Sequence, residues 1–349
     1  MPVFITSTSR SAGIHYLLLL LKSKAFFQFA TATYSIVATD SSTKQVGGAG
    51  ATCLGGSIYD AIYLSAPGKS VMHTQGLLVP RDDEIIVTAL DMMKQGTSSC
   101  PDEIFEAMMS LDTNETSYTE PYNITFQTVD LRQYGMADFV KTASYTGSEL
   151  YSAWEFFGYN TTEVADVGKI GLDNGRYNYQ AIGNVVKNGT VNALQVGFEN
   201  EGNEFKFGTC DMAGKLMAAM YEVVHWGFGD ERCLQVYGTS AAGAYIHVDN
   251  ADDTTLLHID EIYNGDNTEP VEALKEKFLE WRREHPCENN LGGELGEATV
   301  MVPSASSATN APTPTAANAS PSLSASSRAR GVPQLFIVLS IVAGTAYVF

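Results

Sequence analysis

Two short runs of strand-forming or small residues lie near the start of the globular part of the chain, at residues 34–38 and 46–52. Turn-forming residues at 40–44 separate them, and this pattern predicts a β-hairpin. Glycines are frequent in the second run, which predicts that another backbone or a helix approaches it closely.

Apolar residues recur every three or four positions in four later segments, which predicts amphipathic helices. These helices cover residues 82–96, about 99–109, 212–226 and 270–284. Ser99 is the expected N-cap of the second helix, and Pro101 suits its first turn. Further strand signals lie at residues 123–129, near 138–140, and at 177–186, 244–248 and 256–262. Strands, then a block of helices, then strands again favour a layered α+β fold.

Residues 1–32 are predicted to be a signal peptide, because a positive residue precedes an apolar run and an A-x-A cleavage pattern ends the segment. Lys22 and Lys24 interrupt the apolar region. An uncleaved anchor and a wrongly assigned start codon therefore remain alternatives. A cut after this segment would make Thr33 the first residue of the mature chain.

The other end of the chain has two parts that follow a predicted globular domain at residues 33–290. Residues 291–331 are rich in Ser, Thr, Pro and Ala, which predicts a disordered stalk that carries O-linked glycans. Residues 332–349 are an apolar tail without a following charged flank, and small residues at 318–320 precede it. This order is typical of a GPI-anchor signal. A C-terminal transmembrane helix is the alternative.

Several N-x-S/T sequons agree with export to the cell surface. They begin at Asn114, Asn123, Asn160, Asn188 and Asn318. Together with the two end segments they predict a glycoprotein on the extracellular face of the plasma membrane, attached to the membrane through its C-terminal anchor.

The five cysteines allow two disulfides and one remaining thiol in an exported protein. Cys210 and Cys233 flank the predicted helix at 212–226, which is roughly 20 Å long at about 1.5 Å per residue. A disulfide does not reach that far, so each of the two needs another partner. The sequence otherwise leaves open the pairing among Cys53, Cys100, Cys210, Cys233 and Cys287.

The formal net charge of −19 argues against a nucleic-acid partner, because few cations are present to neutralise phosphates. No phosphate loop or dinucleotide fingerprint occurs, so no cofactor is predicted. His247 and Asp249 share a face of a predicted strand, but the spacings of known zinc and calcium sites are absent, and no metal site is predicted.

The globular part resembles the family called domain of unknown function 1028, which belongs to the Ntn-hydrolase fold group. The resemblance extends from Thr33 to about Trp281 and rests on the order of several short motifs. These are TYSIVATD at 33–40, HTQ at 73–75, YTG at 145–147, YQAIGN at 179–184, GDERC at 229–233, LHID at 257–260 and PVEAL at 270–274. Family members usually carry an uninterrupted Q-G-N, whereas Ala181 and Ile182 separate Gln180 from Gly183 here.

This resemblance implies a four-layer αββα sandwich of the Ntn-hydrolase type. Enzymes of this group use the first residue of the mature chain as nucleophile, and most of them cleave amide bonds. The α-amine of a terminal threonine ordinarily has a pKa of about 7.7–8.0, so it can accept the proton of the hydroxyl beside it. The predicted cleavage site before Thr33 would supply both groups in one residue. Thr33 as an ordinary edge-strand residue is the alternative.

An amide hydrolase also needs hydrogen-bond donors for the developing oxyanion. Gln75 and Asn184 are side-chain amides at family-like positions, and we expect them to fill this role or else to satisfy buried backbone groups. Lys69 could lower the pKa of the terminal amine or lie in a solvated loop. Asp40 is expected to form the hairpin turn.

Two hypotheses of function follow. The first is a cell-surface amidohydrolase that uses Thr33, acting on an amide-containing small molecule or a peptide. The second is a non-catalytic surface module for binding or adhesion. The first residue of the mature protein separates them. Substrate and oligomeric state are not specified by the sequence.

Overall fold

The computed structural model of the chain describes residues 30–31, 33–54, 56–96, 100–118, 124–152, 162–200, 210–263, 265 and 268–287. The strands are β1 (Ala30–Thr31), β2 (Thr33–Asp40), β3 (Gln45–Thr52), β4 (Tyr63–Ala66), β5 (Ser70–Leu77), β6 (Glu115–Tyr118), β7 (Ile124–Gln127), β8 (Arg132–Asp138), β9 (Thr142–Thr146), β10 (Thr162–Gly171), β11 (Tyr177–Lys187), β12 (Gly243–Asp249) and β13 (Thr255–Ile262). The helices are α1 (Tyr59–Ile62), α2 (Glu84–Gln95), α3 (Pro101–Leu111), α4 (Thr190–Glu199), α5 (Met212–His225), α6 (Glu231–Val236) and α7 (Pro270–Glu284).

The strands form two large antiparallel sheets and one separate hairpin. The six-stranded sheet has the order β10-β11-β2-β3-β12-β13, and the five-stranded sheet has the order β1-β5-β8-β9 with β4 also paired to β5. Strands β6 and β7 pair with each other. The predicted hairpin is therefore the β2–β3 pair, and it lies in the middle of the larger sheet.

Side-chain alternation along β2 explains how the sheets stack. Tyr34 and Ile36 point to the outer face, where they share a buried apolar cluster with residues of α4, α5 and α7. Val37 points the other way, into a cluster with Val71 of β5 that lies between the two sheets. Because both faces of β2 are buried, its apolar residues do not alternate with exposed polar ones.

The outer face of the five-stranded sheet is covered by α2 and α3, whose apolar stripes form a third cluster with Met72 and Tyr134. The chain is thus an α+β sandwich of two antiparallel sheets with helices on the outer face of each. This confirms the predicted α+β class.

Two disulfides join distant parts of the chain, Cys53–Cys233 and Cys210–Cys287, and Cys100 carries a free thiol. The exclusion of a direct Cys210–Cys233 bond is confirmed, since α5 separates these residues and each has another partner.

The strand signal near residues 138–140 marks the turn between two strands, β8 and β9, rather than the middle of one. β8 ends at Asp138, whose carboxylate accepts hydrogen bonds from the backbone N–H groups of Val140 and Lys141, both at 2.6 Å, and so builds a turn. Val140 is 63% exposed. An Asp at the end of a strand competes with the sheet for backbone donors.

The other helix predictions hold with small shifts at their ends. Asp83 caps α2 by accepting a hydrogen bond from the N–H of Ile85. The N-cap of α3 is Cys100, whose N–H donates to Glu103, rather than the predicted Ser99, which lies outside the described residues. The strand predicted at 123–129 is shorter, since β7 ends at Gln127.

Most of the two end segments lies outside the described residues. This applies to residues 1–29 and 32 of the predicted signal peptide and to the predicted stalk and GPI signal at 291–349. Among the residues that are described, no helix has the length and apolar character needed to cross a membrane.

Candidate functional site

The site around Thr33 is built by the register of three neighbouring strands. Thr33 lies directly opposite Thr52 of β3 and opposite Asn184 of β11. Residues paired in this way project their side chains from the same face of the sheet, with Cβ atoms about 4.5–5.5 Å apart. The face in question is the one turned toward the five-stranded sheet, because Ser35, two residues further along β2, donates a hydrogen bond to Gln75 of β5.

Three buried side-chain amides connect the two sheets at this point. Gln75 Nε2 donates to Gln133 Oε1 at 2.6 Å and to the backbone oxygen of Thr33 at 3.4 Å. Asn184 Nδ2 donates to the same oxygen of Gln133 at 3.3 Å. Gln133 in turn donates through Nε2 to Thr146 Oγ1 and to the backbone oxygen of Ala165. Gln133 is therefore the centre of a buried polar network that includes both predicted amides.

The hydroxyl of Thr33 has a defined position. Its Oγ1 donates to Oγ1 of Thr52 at 3.3 Å, and Thr52 Oγ1 also accepts from the N–H of Leu54. Thr33 and Thr52 are both fully buried. The side chain that is predicted to be the nucleophile is thus oriented by the far end of its own hairpin.

Asn184 is followed by a strained residue. Asn184 Oδ1 is buried and has no hydrogen-bond partner within the described part of the chain. Val185 has φ of 55°, a left-handed conformation that is unfavourable for a β-branched residue. It forms a bulge, because Glu163 pairs with Val186 while the next residue of β10, Val164, pairs with Asn184. The bulge re-aims the strand at the position next to Thr33, and bulges and strain of this kind cluster at functional sites.

The residues just before Thr33 belong to the other sheet. Ala30 pairs with Leu77 and Thr31 pairs with Gly76, so the end of the predicted signal peptide extends the edge of β5 next to Gln75. In the uncleaved chain this short strand lies beside the amide network.

The GDERC motif at residues 229–233 lies outside the amide network. It stabilises the same end of the sandwich. Asp230 is fully buried, and its carboxylate accepts from the N–H of Cys53 at 2.8 Å and pairs with Arg232 at 2.9 Å. Burial raises the pKa of Asp230, and the Arg232 guanidinium opposes this rise. The disulfide from Cys53 to Cys233 lies in the same place. The motif therefore fixes the end of β3, where Thr52 lies.

A second polar cluster lies further along the space between the sheets. His73 Nε2 and the hydroxyl of Tyr245 are hydrogen-bonded, and burial lowers the pKa of His73 to about 3. His247 Nε2 contacts Asp249 Oδ1 at 2.7 Å, and its Nδ1 is 3.1 Å from Nδ1 of His258. Burial raises the pKa of Asp249, but His247 and the hydrogen bonds from Ser65 and Tyr63 together outweigh this and lower it.

The structure brings Thr33, Gln75 and Asn184 together and places Lys69 elsewhere. Lys69 is six residues from Gln75 along an extended strand, roughly 20 Å away at about 3.3 Å per residue, and its Nζ donates to the backbone oxygen of Lys94. Asp40 forms the hairpin turn by accepting from Ser42, and it also pairs with Arg176.

Two of the five predicted glycosylation sites lie among the described residues. Asn114 and Asn188 are exposed, Asn188 in the turn before α4, while Asn123, Asn160 and Asn318 lie outside the described residues. No group of three or more His, Cys, Asp or Glu side chains gathers into a metal-binding arrangement in the parts of the chain that can be described.

Sequence reasoning missed Ser35, Thr52 and Gln133. A signal for the first two exists in the hairpin, since a turn at 41–44 sets Thr33 opposite Thr52, and Ser35 follows on the same face by the period of two. No comparable signal exists for Gln133, because the sequence does not predict most of β8.

The class of protein that the fold defines is an α+β sandwich of two antiparallel sheets with covering helices. The chain is similar in structure to the protein SPO2555 from Silicibacter pomeroyi, whose crystal structure is described under the family DUF1028. The two share 19% sequence identity over 72% of this chain and 89% of that chain, with a TM-score of 0.49. The family is the one that the sequence resembles, and the similarity concerns the fold alone. No family model matches the chain, and no curated protein matches it.

Proposed function

We propose that this chain is a cell-surface amidohydrolase of the four-layer αββα Ntn-hydrolase type, with Thr33 as its nucleophile. The observation that supports this most strongly is the convergence on Thr33 of the Gln75, Gln133 and Asn184 amides beside the strained bulge at Val185. A structural threonine on a central strand requires neither a strained neighbour nor an unsatisfied acceptor opposite it.

Cleavage before Thr33 would create the base. The new α-amine would have Asn184 on the paired strand, and the partnerless Oδ1 of Asn184 could accept a hydrogen bond from it. This hydrogen bond would hold the amine lone pair toward the hydroxyl of its own residue. The role proposed for Asn184 is thus to position the base.

The reaction then follows from these groups. The amine takes the proton from Thr33 Oγ1 while Oγ1 bonds to the carbonyl carbon of the substrate amide, and the carbonyl oxygen becomes an oxyanion. Gln75 Nε2, which contacts the Thr33 backbone oxygen, is the proposed donor to that oxyanion. The amine returns the proton to the leaving nitrogen as the C–N bond breaks. Water then hydrolyses the ester with the same amine as base.

The first test is the N-terminal residue of the purified protein, measured by mass spectrometry of the terminal peptide. We expect the chain to begin at Thr33. A chain that begins even one residue earlier has an amide in place of the base, and that result would exclude the mechanism.

The second test uses a β-lactone that acylates nucleophilic hydroxyls, because it needs no knowledge of the substrate. We expect the label on the Thr33 peptide, loss of labelling in Thr33→Ala and partial labelling in Thr33→Ser. Thr39→Ala is the matched control, since Thr39 is a buried threonine on the same face of the same strand. Wild-type labelling of Thr33→Ala, with its N-terminus verified, would place the chemistry elsewhere.

One observation favours the second function, a non-catalytic surface module. Ala30 and Thr31 pair with β5, as residues of a retained N-terminal segment would. The terminal-peptide measurement decides between the two, because the module keeps these residues and the enzyme loses them.

We also propose that the protein is GPI-anchored and glycosylated at exposed sequons such as Asn114 and Asn188. Phosphatidylinositol-specific phospholipase C should release it from intact cells, and peptide N-glycosidase should lower its apparent mass. Retention on the cells while a control GPI protein is released would favour a transmembrane tail.

A further inference from the structure

A cavity of about 340 Å³ lies on the helix-covered face of the five-stranded sheet, away from Thr33. The turn before β5, the N-terminal end of α3 and the turn after β8 surround it. Its lining is mostly apolar, with Met93, Ile104 and Met136 contributing to it. This volume lies within the range of small-molecule sites, about 300–1,000 Å³.

Ser70 gives the cavity a polar group without a protein partner. Ser70 lines the cavity and is only 3% exposed. Its Oγ has no hydrogen-bond partner among the described residues. A buried hydroxyl without a partner is unfavourable, so a ligand that accepts its hydrogen bond gains from the contact.

Two lysines give the cavity a positive side in a chain of net charge −19. Lys69 Nζ donates to the backbone oxygen of Lys94, and Lys141 Nζ contacts Cys100 Sγ at 3.5 Å. Neither lysine forms an ion pair with a carboxylate in the described ranges. Asp138 also lines the cavity, but its carboxylate already accepts two backbone N–H groups of its own turn.

The start of α3 adds to this positive side. Cys100 is the N-cap of this eleven-residue helix and also lines the cavity. The N-terminus of a helix carries a partial positive charge that favours anions.

We propose that this cavity binds a small amphipathic carboxylate, with its aliphatic chain against the methionine and isoleucine side chains and its head group near Lys69, Lys141 and Ser70. A volume of about 340 Å³ lies near the lower end of the range for small-molecule sites, which suits a small ligand of about ten non-hydrogen atoms. Octanoate has this size and chemistry. The site is independent of the proposed hydrolase activity.

Cys100 provides the measurement, because the other four cysteines are in disulfides. The protein is purified from the cells that express it, in its processed form. The rate at which N-ethylmaleimide alkylates Cys100 is then measured over a range of octanoate concentrations. We expect saturable protection, about tenfold when octanoate is at ten times its half-saturating concentration. Octanamide is the matched neutral ligand, and we expect it to bind about tenfold more weakly or worse.

Variants test the contributions of Lys69 and Ser70 to octanoate binding. For each variant, the rate of Cys100 alkylation with octanoate is divided by the rate without it. Lys69→Met should weaken the affinity about tenfold, while Lys187→Met, which removes a lysine that likewise donates to a backbone oxygen, should not change it. Ser70→Ala should weaken octanoate binding without lowering the melting temperature. Absence of saturable protection, equal binding of octanamide, or wild-type affinity in both Lys69→Met and Ser70→Ala would overturn the proposal.

Discussion

Strand β5 separates two different environments, one on each face. On the face toward the six-stranded sheet, Gln75 lies in a network in which Gln133 uses both the carbonyl oxygen and the NH₂ of its side-chain amide. On the opposite face and at the opposite end, Ser70 lines an apolar cavity and has no partner among the described residues. The alternation of side chains with a period of two allows one strand to serve both. The first environment is already filled and would gain a reactive group only by cleavage, whereas the second has space for a ligand.

The helix-covered face is also closed at one end and open at the other. The closed end has an ion pair between Arg132 and Asp112 at 2.8 Å, with both side chains buried, and Arg132 also donates to the backbone oxygen of Leu78. The open end is the cavity beside Ser70.

The largest effect is expected at the closed end. Arg132→Met should lower the free energy of unfolding by about 3–5 kcal/mol, because Asp112 is then left buried without its partner. Urea denaturation measures it. Lys277→Met removes the exposed member of the Lys277–Glu261 pair and should cost less than about 1 kcal/mol. Similar losses in the two variants would contradict the proposed closure.

The two faces of β5 should respond with opposite signs when a polar group is removed. Gln133→Leu should destabilise the fold by about 2–3 kcal/mol, because Gln75 and Asn184 both lose their acceptor. Ser70→Ala should leave stability unchanged or raise it by up to about 1 kcal/mol. Gln127→Leu, at an exposed position, is the control and should stay within about 0.5 kcal/mol. If Gln133→Leu and Ser70→Ala both lowered the free energy of unfolding, the contrast between the two faces would be contradicted.

A decrease in pH should lower the free energy of unfolding through His73, which lies on the face of β5 toward the six-stranded sheet. Its pKa falls from 6.5 in the unfolded chain to about 3 in the fold, so the unfolded chain binds the proton first as the pH decreases. Its contribution to stability is complete above about pH 6.5 and declines by about 1.4 kcal/mol per pH unit down to about pH 3. At pH 5 the loss is about 2 kcal/mol. The difference between wild type and His73→Gln, measured by urea denaturation across this range, should show that slope, and parallel curves would contradict it.

The smallest effect concerns the bulge beside Thr33. Val185→Gly relieves the left-handed conformation, whereas Val186→Gly removes an equally buried valine from ordinary strand geometry. Val185→Gly should therefore be less destabilising than Val186→Gly by about 1–2 kcal/mol in thermal or urea denaturation. Equal losses would show that no strain is stored at this position.

Local signals in the sequence predict the parts of the fold that depend on nearby residues. The β2–β3 hairpin, the apolar stripes of α2, α5 and α7 and the cap at Asp83 all depend on neighbours a few positions away. The pairing of Thr33 with Thr52 could be derived in the same way from the turn at Asp40.

Interactions between distant segments account for most of what the sequence does not predict. Strand β5 contains Ser70, His73 and Gln75 among apolar residues, so no simple alternation marks it, and only the packing of two sheets explains its buried polar groups. Gln133 reaches Gln75 through strand pairing across 58 positions. Its role could not be derived without the register of β8.

The disulfide between Cys53 and Cys233 has a consequence for the order of folding. The hairpin that ends next to Cys53 is made early in synthesis, but the disulfide partner follows 180 positions later, roughly 10–40 s at about 5–20 residues per second. Strand β11, the neighbour of β2, is made before Cys233, whereas β12, the neighbour of β3, is made after it. The β3 edge of the hairpin therefore lacks its partner strand throughout this interval. Cys100 is available to Cys53 long before Cys233, so we expect a mispaired Cys53–Cys100 disulfide to compete with the native bond during synthesis.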